Sequence, residues 1–339
     1  MRKGIIAGGN WIIDHIKTID SYPAQEELAN IIEEYRSNGG SPYNLLKDLT
    51  MLKAPFSLEG VGVVGNDERG NFIINECNSL AICTKQVVRT EEAATSYTDV
   101  MSLHISGKRT FFHSRGANAL LDEWHFDFSK TNAKIFHLGY LLMLDKLDTL
   151  YEDGNTGASK VLKSAKNQGF LTSVDLVSVS TGWFKKIVPP SLRYIDFLFV
   201  NEIEARMLTG IETVSSTGEI SINNCYKAAS LIIEMGVLKW VFLHYQHGVL
   251  AMNSKKETIY QPGIQLPDEA IKGMVGAGDA LAAGVLLGIH EDFGIKRSVE
   301  LGVCAAASCL SSPTCSDGIA SYKECLSFAE KYGYRKIPV

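Results

Sequence analysis

The sequence predicts an α/β fold with a mostly parallel central sheet, helices on both faces and a small β-sheet lid. The second half of the 339-residue chain alternates short β-rich runs with helical patterns, which is typical of a parallel sheet covered on both faces. The first half contains shorter alternation rich in threonine, which favours antiparallel strands. No repeat or long linker divides the chain, so we expect a single domain over residues 1–339.

The elements of the first half follow from these patterns. We expect a strand at 4–7, a helix at 41–53 and a strand at 57–64. Residues 73–88 and 101–113 alternate in the manner of antiparallel strands. We therefore expect the lid to be contributed mainly by residues about 12–36 and 75–115.

In the second half, strands and helices alternate regularly. Strands are expected at 133–138, 171–176, 196–200 and 240–244, and helices at 158–168, from 202 onward, and at 223–235, 278–289, 296–309 and 322–332. Gly169 and Gly236 end two of these helices, as glycine often does. Open parallel sheets bind ligands beyond the carboxyl ends of their strands, so the functional site is expected there.

Composition and charge exclude several functions. The formal charge is −5 and no local cluster of Lys and Arg occurs, which argues against binding to nucleic acid. The N-terminal apolar run is broken by Gly-Gly-Asn and then by an acid, unlike a signal peptide, and no window reaches the ~20 apolar residues that span a membrane. Seven scattered cysteines without a Cys-x-x-Cys pair indicate buried thiols in a reducing cytoplasm.

The stretch KGMVGAGDALAAG at 272–284 combines a glycine-rich turn, one acid and a helix of small residues. A helix that begins at Gly276-Ala277-Gly278 presents unpaired amides and the positive end of its dipole, which favour an anion such as phosphate. Asp279 stands in the first turn of that helix. It either complements the dipole or takes the proton from a hydroxyl that attacks a phosphoryl group. The local pattern alone leaves both interpretations open.

Motifs elsewhere in the chain favour the second interpretation. They are GNWIIDHI at 9–16, GGSPYN at 39–44, GVGVVGNDERG at 60–70 and DFLFVNEIEA at 196–205, and they join GAGDALAAG at 276–284 in one ordered set. In type and order, across nearly the whole chain, they resemble the signatures of the ribokinase-like (PfkB) carbohydrate kinase family. The resemblance implies a ribokinase-like fold and an ATP-dependent kinase acting on a hydroxyl of a sugar or sugar derivative. It also implies Asp279 as general base and the backbone of 276–279 as anion hole.

The resemblance further implies a set of nucleotide and metal contacts. Asn201 and Glu204, at a strand end, supply oxygens suited to Mg²⁺, bound through water because that ion keeps much of its hydration shell. Their other interpretation is structural, with Asn201 as a helix N-cap and acids in the first turn. Gly276 and Gly278 would approach the nucleotide, together with Gly248, the last glycine of a loop that lies beside the nucleotide in relatives.

On the sugar side, the resemblance implies four substrate contacts, Asp14, Gly39, Gly40 and Asn44. Asp14 could accept two hydroxyl protons, Asn44 offers a donor and an acceptor, and glycines let the main chain approach closely. Taken alone, Asp14 would be interpreted as a solvated loop acid, and the matching signatures favour the substrate contact. Arg115 and Asn118, which follow the lid, are further candidates. Arg115 would suit a carboxylate or phosphate on the substrate, or it is a surface arginine.

The chain departs from the family pattern in two places. Gly273 and Met274 replace the Asp-Thr that usually precedes Gly-Ala-Gly-Asp, which argues against activation by a monovalent cation. Tyr245 replaces a glycine of the nucleotide loop and would crowd it. These departures leave open a non-catalytic sugar-binding or regulatory protein on the same scaffold, and a nucleoside kinase is another alternative. The uncovered edges of the lid favour a homodimer joined through it.

Overall fold

The computed structural model describes residues 2–179, 182–215, 218–273, 275–314 and 316–336. The strands are β1 (Ile5–Gly9), β2 (Ile12–Ile19), β3 (Ile31–Gly39), β4 (Leu58–Gly65), β5 (Cys83–Thr90), β6 (Tyr97–Leu103), β7 (Arg109–Ser114), β8 (Ile135–Gly139), β9 (Leu171–Asp175), β10 (Phe197–Asn201), β11 (Trp240–Tyr245), β12 (Gly248–Asn253) and β13 (Thr258–Pro262). The helices are α1 (Ser41–Met51), α2 (Glu68–Ser79), α3 (Gly157–Asn167), α4 (Phe184–Ile187), α5 (Pro189–Leu192), α6 (Glu202–Thr209), α7 (Ile222–Glu234), α8 (Ala277–His290), α9 (Ile295–Cys309) and α10 (Tyr322–Tyr332).

One large sheet forms the centre of the described structure. Its nine strands lie in the order β13-β12-β11-β10-β9-β8-β1-β4-β5, and the strands from β11 to β5 pair in parallel. Successive residues of these strands enter two different apolar layers, so that Ile5 belongs to the layer that includes residues of α1, α8 and α9, and Ile6 to the layer that includes residues of α3 and α7. The predicted α/β class, with a mostly parallel sheet covered on both faces, is confirmed.

The second sheet is small and has the order β3-β2-β6-β7. Residues 75–96 were expected in this lid, but they contribute no strand to it. Instead α2 occupies Glu68–Ser79, and β5 forms the edge of the large sheet, parallel to β4. The side chain of Asp67 caps α2, and Gly70, Ile73 and Cys77 are buried with helical spacing. The short helix and its edge strand were therefore misread as antiparallel strands.

Most elements of the second half lie within a few residues of their predicted positions. Strands β12 and β13 were not predicted, because the turn at Gln246 and His247, which joins β11 to β12, lacks the Asn-Gly or Asp-Gly signal of a tight hairpin. None of the described helices is long and apolar enough to cross a membrane.

Trp11 fixes the point at which the lid leaves the large sheet. The indole is fully buried, and its Nε1 donates to the carbonyl of Val61 at 2.8 Å. A Cβ at Gly60 or Gly62 would lie 2.6 or 2.2 Å from the indole ring, so β4 needs glycine at both positions. This contact locks the link between β1 and β2 against β4.

Candidate active site

A cavity of about 750 Å³ lies between the lid and the carboxyl ends of the central strands. We call its two sides the floor, formed by the ends of β8 to β11 and the turn before α8, and the lid wall, formed by β2, β6 and β7. Its polar lining includes Asp14, Asn44, Thr98, Arg109, His113, Tyr140, Asp175, Asn201, Glu204, His244 and Asp279. The predicted position of the site, beyond the strand ends, agrees with this cavity.

Asp279 lies in the first turn of α8 and is only 6% exposed. Its carboxylate accepts a hydrogen bond from Asn44 Nδ2 at 2.8 Å, and the hydroxyl of Tyr140 lies 2.8 Å from both of its oxygens. Burial raises the pKa of Asp279 to about 6, although the bonds from Asn44 and Tyr140 act in the opposite direction. A carboxylate of this kind is still ionised at neutral pH and is a stronger base than an exposed aspartate.

The turn before α8 offers backbone amides to an anion. Gly276 has φ 79°, a left-handed conformation that favours glycine, and no described side chain caps the helix. The amides of the first turn therefore face the cavity at the positive end of the helix dipole. A Cβ at Gly278 would lie 3.3 Å from Cε1 of His244, so the ring of His244 borders the turn. Burial lowers the pKa of His244 to about 4, which leaves its ring neutral.

Asn201 and Glu204 form a capping box at the start of α6. The Asn201 side chain accepts from the amides of Ile203 and Glu204, while Glu204 accepts from the backbone and side-chain nitrogens of Asn201, each at 2.9 Å. Ser178 also donates to Glu204 at 2.9 Å. Asn201 therefore caps the helix and Glu204 stands in its first turn, as the structural interpretation predicts. Both residues also line the cavity. Capping and ligand contact are compatible at this position.

Glu204 shares the floor with a second buried carboxylate, Asp175 at the end of β9. Burial raises the pKa of Glu204 to about 7, and burial followed by the charges of Asp279 and Glu204 raises that of Asp175. A cation among these groups would relieve their repulsion. In the described part of the chain, no three His, Cys, Asp or Glu side chains are arranged to coordinate one ion. The carboxylate and amide oxygens of Glu204, Asp175 and Asn201 suit Mg²⁺, an ion that usually keeps several of its waters.

Asp14 and the glycine pair lie where the lid meets α1. A Cβ at Gly39 would lie 2.6 Å from the Asp14 carboxylate, so only glycine allows this close approach. Burial raises the pKa of Asp14 to about 7, and the charge of Asp279 adds to the rise. Gly40 precedes α1, which carries Asn44 into the cavity. Asn44 is held by Asn38, whose Nδ2 donates to its Oδ1 at 2.8 Å.

The lid wall brings in three residues that the sequence did not predict, Thr98, Arg109 and His113. The strand register places Asp14 beside Thr98 and Thr98 beside His113, in one row across β2, β6 and β7. Thr98 donates to Asp14, and its oxygen lies 3.0 Å from Nδ1 of His113. The charge of Arg109 lowers the pKa of Asp14 and so opposes the effect of burial. Arg109, Phe111 and His113 alternate along β7 and line the cavity, so this alternation is the sequence pattern that marks the face of β7 towards the cavity.

Two predicted substrate residues lie outside the cavity. Arg115 pairs with Asp145 at 2.9 Å, and Asn118 is fully buried with its side chain bonded to both backbone groups of Trp11, at 3.0 and 3.2 Å. Arg115 lies just beyond the end of β7, so it leaves the row that faces the cavity. Asn118 supports the start of the lid instead. We therefore no longer place either residue at the substrate.

The two departures from the family pattern lie beside the floor. Tyr245 is buried against Tyr260 and pairs with Gly248 in the hairpin, and neither Tyr245 nor Gly248 lines the cavity. Gly273 packs against the Ser312 carbonyl, 2.5 Å from where its Cβ would be. Met274 lies outside the described residues.

Comparison with known proteins agrees with this architecture. The family model of the pfkB family carbohydrate kinases matches residues 6–321. A 92-residue stretch, 27% of either chain, is 33% identical to 5-dehydro-2-deoxygluconokinase of Geobacillus kaustophilus. Ribokinase of Haemophilus influenzae is 22% identical over 97% of this chain and 99% of its own.

Among solved structures, Arabidopsis thaliana ribokinase, complexed with ribose and ATP, is similar with a TM-score of 0.79 and 21% identity. The match covers 97% of this chain and 99% of the ribokinase. At this identity the likeness establishes the fold. The family model extends over the floor, the glycine turn and the lid, and the chain therefore belongs to the pfkB family of carbohydrate kinases.

Proposed function

We propose that the protein transfers the γ-phosphoryl group of ATP to a hydroxyl of a sugar or sugar derivative, with Asp279 as general base. One observation carries the proposal. Asp279 is a buried carboxylate in the first turn of α8, with the anion-binding turn on one side and Asn44 on the other. The base therefore stands between a place for phosphate and a place for a hydroxyl.

The residues of the chain divide the chemical work. Asp14 and Asn44, beside Gly39 and Gly40, would hold the acceptor with one hydroxyl directed at Asp279. Asp279 takes the proton of that hydroxyl as its oxygen attacks the phosphoryl group. The amides of 276–279 stabilise the charge that develops on the phosphoryl oxygens.

The floor is suited to magnesium. Asn201 and Glu204 would hold the ion through its water ligands, and Asp175 adds negative charge nearby. When bound, Mg²⁺ would neutralise negative charge on the nucleotide phosphates. Without a cation, the pKa values of Glu204 and Asp175 are raised by burial, so the chain itself favours an added positive charge.

The alternative is a non-catalytic sugar-binding protein on the same scaffold. Such a protein would need the acceptor contacts of the lid wall, but it would have no use for a buried base beside an uncapped helix start. The hydrogen bonds from Asn44 and Tyr140 that hold Asp279 in place support the catalytic function.

A nucleotide-consumption screen tests the proposal. Purified protein is incubated with ATP and Mg²⁺ and a panel of sugars, sugar acids and nucleosides, and ADP formation is followed together with the mass of the acceptor. We expect at least one acceptor to gain a phosphoryl group. We also expect ATP–Mg²⁺ to raise the melting temperature of the protein when no acceptor is present. Stabilisation by a sugar without any effect of nucleotide would instead support a binding protein.

We also propose that two copies pair through their lids. β3 and β7 are the edge strands of the small sheet, and Ile31, Ile32 and Phe112 are each more than half exposed. A mass measured by light scattering that corresponds to the single 339-residue chain would contradict this assembly.

A further inference from the structure

Tyr140, the residue after β8, contacts the proposed base directly. Its hydroxyl lies 2.8 Å from Oδ1 and 2.8 Å from Oδ2 of Asp279, so its single proton is shared between both oxygens of the carboxylate. Asn44 donates to Oδ2 from another direction. A carboxylate has about four lone-pair sites, so these two donors leave room for an acceptor hydroxyl.

The backbone of Tyr140 is held by Asn10, at the end of β1. The fully buried side chain of Asn10 accepts from the Tyr140 amide at 2.6 Å and donates to the Met143 carbonyl at 3.0 Å. The Asn10 amide also donates to the Gly139 carbonyl at 3.0 Å. The ends of two neighbouring strands are thereby locked together, and the phenol ring has a fixed origin from which it reaches Asp279.

We propose that Tyr140 is a positioning residue, whose hydroxyl fixes the plane of the Asp279 carboxylate and stabilises the ionised form that accepts the proton. The inference rests on the proposed function, because it assigns Asp279 as the base. In the reaction, the proton of the acceptor hydroxyl moves to Asp279 and the acceptor oxygen bonds to the γ-phosphorus of ATP. The bond between that phosphorus and the bridging oxygen breaks, ADP leaves with the electron pair, and Tyr140 keeps its own proton.

The surroundings of Asp279 explain why such a donor is needed. The titratable and charged groups that face it or its neighbours are Asp14 on β2, Asp48 on α1, Arg109 on β7, Asp175 on β9 and Cys309 on α9. Two of these, Asp48 and Asp175, are buried acids whose negative charges would oppose its ionisation. Burial raises the pKa of Asp279, and the hydrogen bonds from Asn44 and Tyr140 lower it. Hydrogen bonding to the charged form therefore keeps the base usable near neutral pH.

The test is a pH titration of the full chain. Carbon-13 NMR of aspartate-labelled protein, with the Asp279 signal assigned from the Asp279→Asn variant, gives the pKa of this carboxyl group directly. In Tyr140→Phe the pKa should rise by about one to two units, the worth of one hydrogen bond to a charged group. With the acceptor found in the screen, the acid limb of the kcat–pH profile of Tyr140→Phe should move to higher pH by the same amount. The KM of the acceptor should stay unchanged.

Two further variants make the result decisive. Tyr334→Phe removes a hydroxyl that lies 2.8 Å from Glu300, away from the cavity, and should leave the pKa of Asp279 unchanged. Replacement of Tyr140 by 3-fluorotyrosine, a stronger donor, should shift the limb to lower pH. An unchanged pKa in Tyr140→Phe, or a loss of kcat that is equal at every pH, would overturn the inference. Full activity of Asp279→Asn would instead overturn the proposed function.

Discussion

The floor and the lid wall of the cavity differ in charge and in burial. On the floor, Asp175, Glu204 and Asp279 are all less than 10% exposed and are surrounded by neutral donors. The lid wall is half-exposed, and its Arg109 is the one permanently charged cation among the described lining residues. A buried cluster of acids suits proton abstraction and a hydrated cation, whereas a strand row with mixed donors suits recognition of an acceptor. The difference supports the proposal that the floor performs the chemistry and the lid wall selects the acceptor.

The largest effect is expected on the floor. Asp279→Asn should lower kcat by about 10²–10⁴-fold, the usual worth of a general base. Initial rates with saturating ATP, Mg²⁺ and acceptor measure it. Asp268→Asn, an exposed acid of a 3₁₀ turn, serves as control and should keep full activity. Normal turnover by Asp279→Asn would show that the base lies elsewhere.

A smaller effect on the floor concerns the metal. Glu204→Gln keeps the shape of the side chain but removes its charge, so the Mg²⁺ concentration for half-maximal rate should rise by about 10–100-fold. Glu202→Gln changes the neighbouring acid of the same helix, which does not line the cavity, and should behave like the original protein. An equal response of the two variants would remove Glu204 from the metal site.

On the lid wall, Arg109→Ala should act on binding. Loss of a charged hydrogen-bond donor should raise the KM of the acceptor by about tenfold and leave kcat nearly unchanged. Arg115→Ala is the matched control, because Arg115 pairs with Asp145 outside the cavity. If Arg115→Ala raised KM instead, the placement of the lid row would be wrong.

The smallest effect is on stability and involves Asp14. Its pKa is raised by burial from 3.8 to about 7, so its contribution to the free energy of unfolding is greatest below pH 4 and is lost as the pH rises towards 7. Asp14→Asn removes this titration. Between pH 4 and 7 the melting temperature of the variant should therefore decline less than that of the original protein. Parallel melting curves over this range would contradict the raised pKa.

The floor could largely be predicted from the sequence, because its residues lie in short contiguous stretches. The glycine turn before Asp279 marks a helix start, and the capping pattern of Asn201 and Glu204 marks a strand end followed by a helix start. Asp175 is the last residue of β9 and Tyr140 follows β8, each as a single residue without a local pattern, and neither was predicted. The nucleotide role of Gly248 stays a prediction that the cavity does not support.

The lid wall could not be predicted to the same extent, because its residues meet only through strand register. Thr98 and His113 join Asp14 through one parallel and one antiparallel pairing between distant segments. The sequence offered Arg115 as a candidate and did not offer Arg109. Arg109 is the first residue of β7 and lines the cavity, whereas Arg115 follows the last residue of the strand and does not.

The division of work between floor and lid wall is tested most directly by calorimetric titration of the acceptor into three proteins. These are the original protein, Asp279→Asn and Arg109→Ala, each with a non-hydrolysable ATP analogue and Mg²⁺. We expect Asp279→Asn to bind the acceptor with an unchanged Kd and Arg109→Ala to bind it about tenfold more weakly. Loss of acceptor binding in Asp279→Asn, together with unchanged binding in Arg109→Ala, would contradict the account.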